Sequence, residues 1–217
     1  MRRIILISLF LLGFSLSFGQ GLKIGVYVEP MVSWFSAESR TAHGEGSKIG
    51  IDGGLMLDNY FQRNYAFQTG IGIGTFGGKI QYDEAKAITS YDETDTLPAG
   101  SIMNYKVNYI TVPVGLKLKT KEIGHFSYFA RLGFTNQVNI KVKATSSDGM
   151  LNKSVVEGEL FFYNLSYYVG AGIQYHINRD SALNFAITYT NGFINLSRQD
   201  LLKIYSRAVS LRVGIIF

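Results

Sequence analysis

The feature that most constrains this chain is a period-two alternation whose two parities are chemically opposite. It recurs over residues 22–29, 49–57, 67–74, 110–118, 126–134, 161–175, 183–189 and 209–217. In the first segment Leu22, Ile24, Val26 and Val28 alternate with Lys23, Gly25, Tyr27 and Glu29. In the fourth, Ile110, Val112, Val114, Leu116 and Leu118 alternate with Thr111, Pro113, Gly115 and Lys117. Period two is the signature of strands with unlike faces, and no later stretch sustains a helical 3.6 pattern. Eight such segments predict eight strands.

The chemistry of the two faces then selects the solvent. The bulky apolar parity contains no charged residue in any of the eight segments, whereas the other parity is Gly, small polar residues and a few charges. A soluble barrel of the lipocalin kind, or a β-sandwich, would bury the bulky set and expose a polar layer. An eight-stranded barrel has a bore just wide enough to be filled by side chains. Gly, Ser, Thr, Asn and Gln suit that bore, which leaves the bulky set facing outward, a placement that suits lipid. The low charged fraction, 17% against about 25% in soluble domains, agrees.

Connection lengths give the orientation. Residues 30–47, 77–109, 135–160 and 190–208 are long connections or strand extensions, and 59–64, 119–125 and 176–182 are short ones. Long and short alternate, as they do between the extracellular loops and periplasmic turns of outer-membrane barrels. Aromatics fall at both expected interfaces. Phe67, Phe126, Tyr128, Tyr175 and Phe217 lie toward the periplasmic ends, and Phe134, Phe161, Tyr163 and Tyr189 toward the outer ends.

The N-terminus reads as an address. Met1-Arg2-Arg3 is cationic, Ile4 to Leu16 is apolar, and Ser17-Phe18-Gly19 offers small residues before a cut at Gln20, the order of a cleaved signal peptide. The apolar run is short of the ~20 residues of a membrane-spanning helix. Residues 1–19 are therefore set aside as a signal peptide and 20–217 as one barrel domain. Two of the cations behind the formal charge of +5 belong to that leader. The remaining Lys and Arg are scattered, which argues against nucleic-acid binding.

With the strands placed, the chain resembles the PorT-like outer-membrane β-barrel family of Gram-negative bacteria. Asn108-Tyr109-Ile110-Thr111-Val112-Pro113-Val114-Gly115-Leu116-Lys117 is similar to that family's Y-x-x-x-P-x-x-L-K strand, and Phe67-Gln68-Thr69-Gly70-Ile71-Gly72 to its apolar-x-T-G-apolar-G strand. Phe217 after Val213 and Ile215 resembles the aromatic C-terminal signal read by the barrel-assembly machinery. The resemblance implies an eight-stranded antiparallel up-and-down transmembrane β-barrel in the outer membrane, in contact with lipid and lipopolysaccharide. It also implies a secretion or envelope protein as a partner, since the founding member is associated with type IX secretion. Pro113, which removes a ladder donor, suggests a bulge or kink in its strand.

Several motifs invite chemistry. Gly72-Ile73-Gly74-Thr75-Phe76-Gly77 matches G-x-G-x-x-G, but its glycines have strand period and no helix follows, so a dinucleotide site lacks its required context. His43 falls in an outer connection, His125 and His176 at periplasmic turns, and there is no Cys, so no metal centre or thiol chemistry is expected. Asp83, Glu84, Asp92, Glu93 and Asp95 form an acidic loop that matches no calcium-loop spacing. Glu29, Asp52, Lys117, Arg131 and Arg212 have lumen parity and should pair or stay wetted in so narrow a space. Trp34 and Phe35 in the first outer connection are candidates for contact with lipopolysaccharide or a partner. The reading is a non-enzymatic, cofactor-free barrel with a structural or partner-binding role (envelope integrity, adhesion or secretion) and a mostly closed lumen. The alternatives are a narrow porin-like channel for solutes or ions and, third, a membrane-embedded enzyme.

Overall fold

The structure, a computed structural model, describes residues 21–37, 39, 41–89, 94–147, 154–155, 162–178, 180–197 and 202–217. Residues 1–19, which the sequence reads as a signal peptide, lie outside the described residues, as do Phe161, Asp92 and Glu93. The regular structure is all β: β1 (Leu22–Ala37), β2 (Ala42–Gln62), β3 (Tyr65–Tyr82), β4 (Lys86–Thr89), β5 (Thr94–Leu97), β6 (Ile102–Lys119), β7 (Phe126–Ser146), β8 (Ser154–Val155), β9 (Tyr163–His176), β10 (Ala182–Gly192) and β11 (Ile204–Ile216).

Eight of these strands pair antiparallel in the order β6-β3-β2-β1-β11-β10-β9-β7, and a β6–β7 ladder closes the ring. It is an up-and-down barrel in which the first and last strands meet. β4 and β5 form a separate hairpin between β3 and β6, and β8 adds two residue pairs to the outer end of β7. The eight alternating segments fall on the eight ring strands. Much of each long connection continues the wall, since β1 runs on to Ala37 and β2 starts at Ala42. The barrel therefore extends past its apolar belt on the long-connection side.

The wall is greasy outside. Ile24, Val26, Val28, Ile51, Leu55, Ile71, Ile73, Val114, Leu132, Val169, Ile187 and Leu211 are all exposed. In water this would be a large apolar patch inviting aggregation, whereas in hydrocarbon it is the stable arrangement. Phe67, Phe126, Tyr128, Tyr175 and Phe217 are exposed around the short-turn end. There Phe61 packs 4.7 Å from Phe67 and Phe126 5.1 Å from Tyr175, ring centre to centre. At the other edge Phe193 lies 5.1 Å from Tyr167 and 6.0 Å from Phe134. The two rings of aromatics bound the belt.

The bulge suggested for Pro113 is absent. No register shift occurs at Pro113: Thr69 pairs with Val114 and Gly72 with Thr111 in one continuous register. The missing N–H leaves a gap in the β3–β6 ladder, and Thr69 Oγ1 donates to the Pro113 carbonyl at 2.9 Å across it. The bulge in β6–β7 lies further out, at Asn108/Tyr109 opposite Asn139 and Lys141. A proline can thus lose its ladder bond without an extra residue when a neighbouring hydroxyl bridges the gap.

Ile71 points outward from the middle of β3, between Phe67 and the outer extension. Ile71→Arg is expected to destabilise the barrel by about 2–4 kcal/mol, the cost of a cation near the bilayer midplane. Denaturant unfolding in phospholipid vesicles measures it, and the same substitution at exposed Lys203 should change little.

Candidate functional site

The lumen gathers the polar parity of all eight strands, and three acids and three bases are buried among the described residues: Glu29, Asp52, Asp58, Lys117, Arg131 and Arg212. Pairing register explains their neighbours. Val28 faces Val213 and Met31 faces Ser210 across β1–β11, which sets Glu29 opposite Arg212 at the seam where the barrel closes. Nε and Nη2 of Arg212 both meet Glu29 Oε2, and Ser210 Oγ donates to Glu29 Oε1. The guanidinium also lies over the Tyr27 ring, 3.9 Å from its centre. On its other side Glu29 faces Asp52 on β2. That like-charged neighbour is held by the Tyr27 hydroxyl, which donates to Asp52 Oδ1 at 2.6 Å.

A second pair lies closer to the periplasmic end. Lys117 Nζ donates to Asp58 Oδ2 at 2.7 Å, both side chains being fully buried, and Gln68 Nε2 donates to Asp58 Oδ1 at 2.8 Å. Asp58 is a lumen charge that the alternating segment 49–57 stops one residue short of, although it continues the parity of Asp52, Gly54 and Met56.

Of the two outcomes expected for a lumen charge, pairing or wetting, Arg131 does not take the first. It faces Lys117 directly across β6–β7, and its Nε and Nη1 have no hydrogen-bond partner in the protein. Its guanidinium instead stacks over Tyr168, 4.6 Å from the ring centre. A wall of missing side chains admits that tyrosine: a Cβ on Gly115 would stand 2.3 Å from the Tyr168 hydroxyl. Between these charges lies a cavity of about 60 Å³, lined among others by Tyr27, Glu29, Asp52, Arg131, Tyr168 and Arg212. That is room for a few waters.

Further out the lumen changes character. Phe35, Phe76, Ile80, Tyr82, Met103, Tyr105, Val107 and Tyr109 form an apolar cluster inside the extended barrel. Phe35 packs edge-on against Phe76 and Tyr105, and the hydroxyls of Tyr82 and Tyr105 lie 3.0 Å apart. Leu97 from the hairpin and Leu196 and Leu202 from the last connection join it. Two readings are corrected here. The lumen is not small and polar throughout, because its outer half is an aromatic plug. Phe35 is no surface contact residue, being 2% exposed inside that plug. Trp34, of the opposite parity, faces outward and pairs in register with Arg207. Both belong to β1 rather than to a loop.

The remaining candidates are scattered. Gly72–Gly77 lies within β3 with no helix after it. His43 meets Asp83 at 3.3 Å and Glu45 at 3.5 Å on the exposed outer end. At the periplasmic end Ser127 Oγ lies 2.7 Å and Glu122 Oε1 3.5 Å from His176 Nε2. Both contacts fall on one ring nitrogen, so the trio lacks the nucleophile–base–orienter order of a hydrolytic triad. Among the described residues no group of three or more His, Cys, Asp or Glu is placed to hold a metal. Phe217 stands outward, its backbone bonded in both directions to Ile24.

A sequence model of the outer membrane protein beta-barrel domain matches residues 12–198. The chain belongs to that family. Its location is therefore the outer membrane, and the exposed belt faces lipid. Among solved structures it is similar to the attachment invasion locus protein Ail of Yersinia pestis, in complex with the heparin analogue sucrose octasulfate. Identity there is 14%, over 91% of this chain and 100% of that one, with a TM-score of 0.43. OprG of Pseudomonas aeruginosa is 11% identical over 92% and 98% of the chains, at 0.49. The outer membrane protease OmpT of Escherichia coli is 7% identical over 91% and 96%, also at 0.49. Likeness at these levels reaches no further than the fold. Among curated proteins none matches the chain.

Lys117→Met alone strands the Asp58 carboxylate and is expected to cost about 3–5 kcal/mol, whereas the double change Lys117→Met with Asp58→Leu should recover most of that loss. Urea melts of the three variants in one detergent measure both quantities.

Proposed function

We propose that this outer-membrane barrel is a closed, non-enzymatic scaffold of the PorT-like kind, whose outer rim engages an envelope, adhesion or secretion partner. The observation that carries the reading is the double obstruction of the lumen. A cross-linked charge layer in the inner half is capped by the Phe35–Phe76–Tyr105 plug in the outer half. Among the described residues, the balance of three buried acids and three buried bases favours internal neutralisation over a selectivity filter of one sign. The strand around Pro113 and the strand around Thr69-Gly70 support the PorT-like assignment. Trp34, outward beside Arg207 above the belt, is the rim residue best placed for a partner or for lipopolysaccharide.

Planar-bilayer recordings test the closed lumen. Wild type should show no stable unitary conductance, and the triple change Phe35→Ala, Phe76→Ala, Tyr105→Ala should open little, because the charged layer below remains. Steady ion-selective steps in wild type would favour the narrow channel instead. Phe217 we assign to assembly. Phe217→Ala should lower the fraction of folded barrel in outer-membrane fractions, read by heat-modifiable gel mobility, while the purified protein still refolds in detergent.

A further inference from the structure

On β3, β6 and β7 the outer face of the wall changes from apolar to basic over two rows of residues, while Val32 and Ile49 keep it apolar on β1 and β2. In cross-strand register, Val28, Gly53, Ile73, Ile110 and Val138 form one outward row across β1, β2, β3, β6 and β7. The next row outward carries Ile51, Thr75, Asn108 and Lys141. Beyond it Gly77, Lys106 and Lys143 face one another, and Lys79 follows one row further along β3, opposite Asn104. Two rows are four residues, or about 13 Å of strand. The lysines thus stand just beyond the hydrocarbon, where the headgroups of the outer leaflet lie.

Their spacing is unfavourable for a bare protein surface. Lys106 and Lys143 are direct cross-strand partners, an arrangement of like charges that destabilises a sheet. Lys48 on β2 is in electrostatic contact with both Lys106 and Lys79. Two glycines bring the stems together: a Cβ on Gly77 would lie 3.2 Å from Lys48 Cδ, and one on Gly46 3.3 Å from Lys79 Cδ. Among the described residues no carboxylate pairs with Lys48, Lys79, Lys106, Lys141 or Lys143. Directly beneath them is an open groove of about 460 Å³ on the lipid-facing wall, lined by Val28, Ile51, Gly53, Ile73 and Ile140, with Lys141 at its rim. The groove exists because Gly53 has no side chain between Val28 and Ile73.

We propose that Lys48, Lys79, Lys106, Lys141 and Lys143 bind the phosphate groups of an outer-leaflet glycolipid, one of whose acyl chains lies in the groove beneath. A basic row above an apolar groove fits an amphiphile with an anionic head, and the continuity of the row with the lipid belt favours a membrane lipid over a soluble polyanion. This goes beyond the scaffold reading and stands whether or not the lumen conducts.

The test uses the purified protein in zwitterionic detergent, titrated with fluorescent bisphosphorylated lipid A. Wild type should bind in a saturable, salt-sensitive manner. Lys106→Gln with Lys143→Gln should weaken binding by about 25-fold, from about fivefold per cation near a charged lipid surface, with unchanged heat-modifiable mobility. Lys203→Gln, outside the row, should bind as wild type. Lipid A stripped of its phosphates should bind at least tenfold more weakly, and Gly53→Leu, which fills the groove, should weaken lipid A without altering the weak response to inorganic phosphate. If the double variant does not fold, Lys106→Gln and Lys141→Gln alone supply the same reading. Equal binding by wild type and the Lys106/Lys143 variant, or indifference to the phosphates, overturns the proposal. So does heparin displacing lipid A from wild type more effectively than unlabelled lipid A does, because the occupant is then a soluble polyanion.

Discussion

Everything in this molecule depends on closing the ring between its first and last strands. In hydrocarbon there is no water to satisfy an unpaired N–H or C=O, so an open sheet edge within the belt is prohibitive. The β1–β11 ladder removes that edge, running from Gly25 opposite Ile216 to Ala37 opposite Ile204. Glu29 and Arg212 sit on the lumen side of this seam. Their attraction acts across the contact with the greatest separation along the chain, which has the largest loop-closure entropy to overcome. The choice of an ion pair there follows from the interior being narrow and polar, since bulky apolar residues are committed to the outer wall.

Closure also fixes what the lumen can hold. Eight strands leave a bore that side chains fill, so every buried charge must find its counterpart among a few neighbours. Lys117 and Asp58 do so across β3, and Glu29 and Arg212 do so across the seam. Arg131, set opposite Lys117 by the register, has Tyr168 as its main support. An aromatic face stabilises a guanidinium without a carboxylate. Beyond the membrane the constraint relaxes. The wall continues into the outer aqueous region, where an apolar interior is favoured in the usual way, and Phe35, Phe76 and Tyr105 pack as a soluble core would.

The outer face repeats this logic in reverse. On β3, β6 and β7 the outward apolar side chains give way to lysines toward the outer end of the wall. One barrel therefore has its greasy and polar faces exchanged between its membrane-embedded and outer parts.

Much of this was legible in the sequence. Alternation with unlike parities determined the eight strands, the direction each face points, and the inward placement of Glu29, Asp52, Lys117, Arg131 and Arg212, because a strand's side-chain period is two and one face had to meet lipid. The long-short alternation of connections determined orientation. Extension of the alternation by one residue would have reached Asp58, and by six would have placed Phe35 inside and Trp34 outside. Tertiary structure alone decided which charges become partners, since cross-strand register couples residues as distant as Glu29 and Arg212. It likewise decided that Leu97, Leu196 and Leu202 seal the outer lumen, and that lysines from neighbouring strands gather over successive rows above an apolar groove. Such convergence is a property of the closed ring, and no single strand carries it.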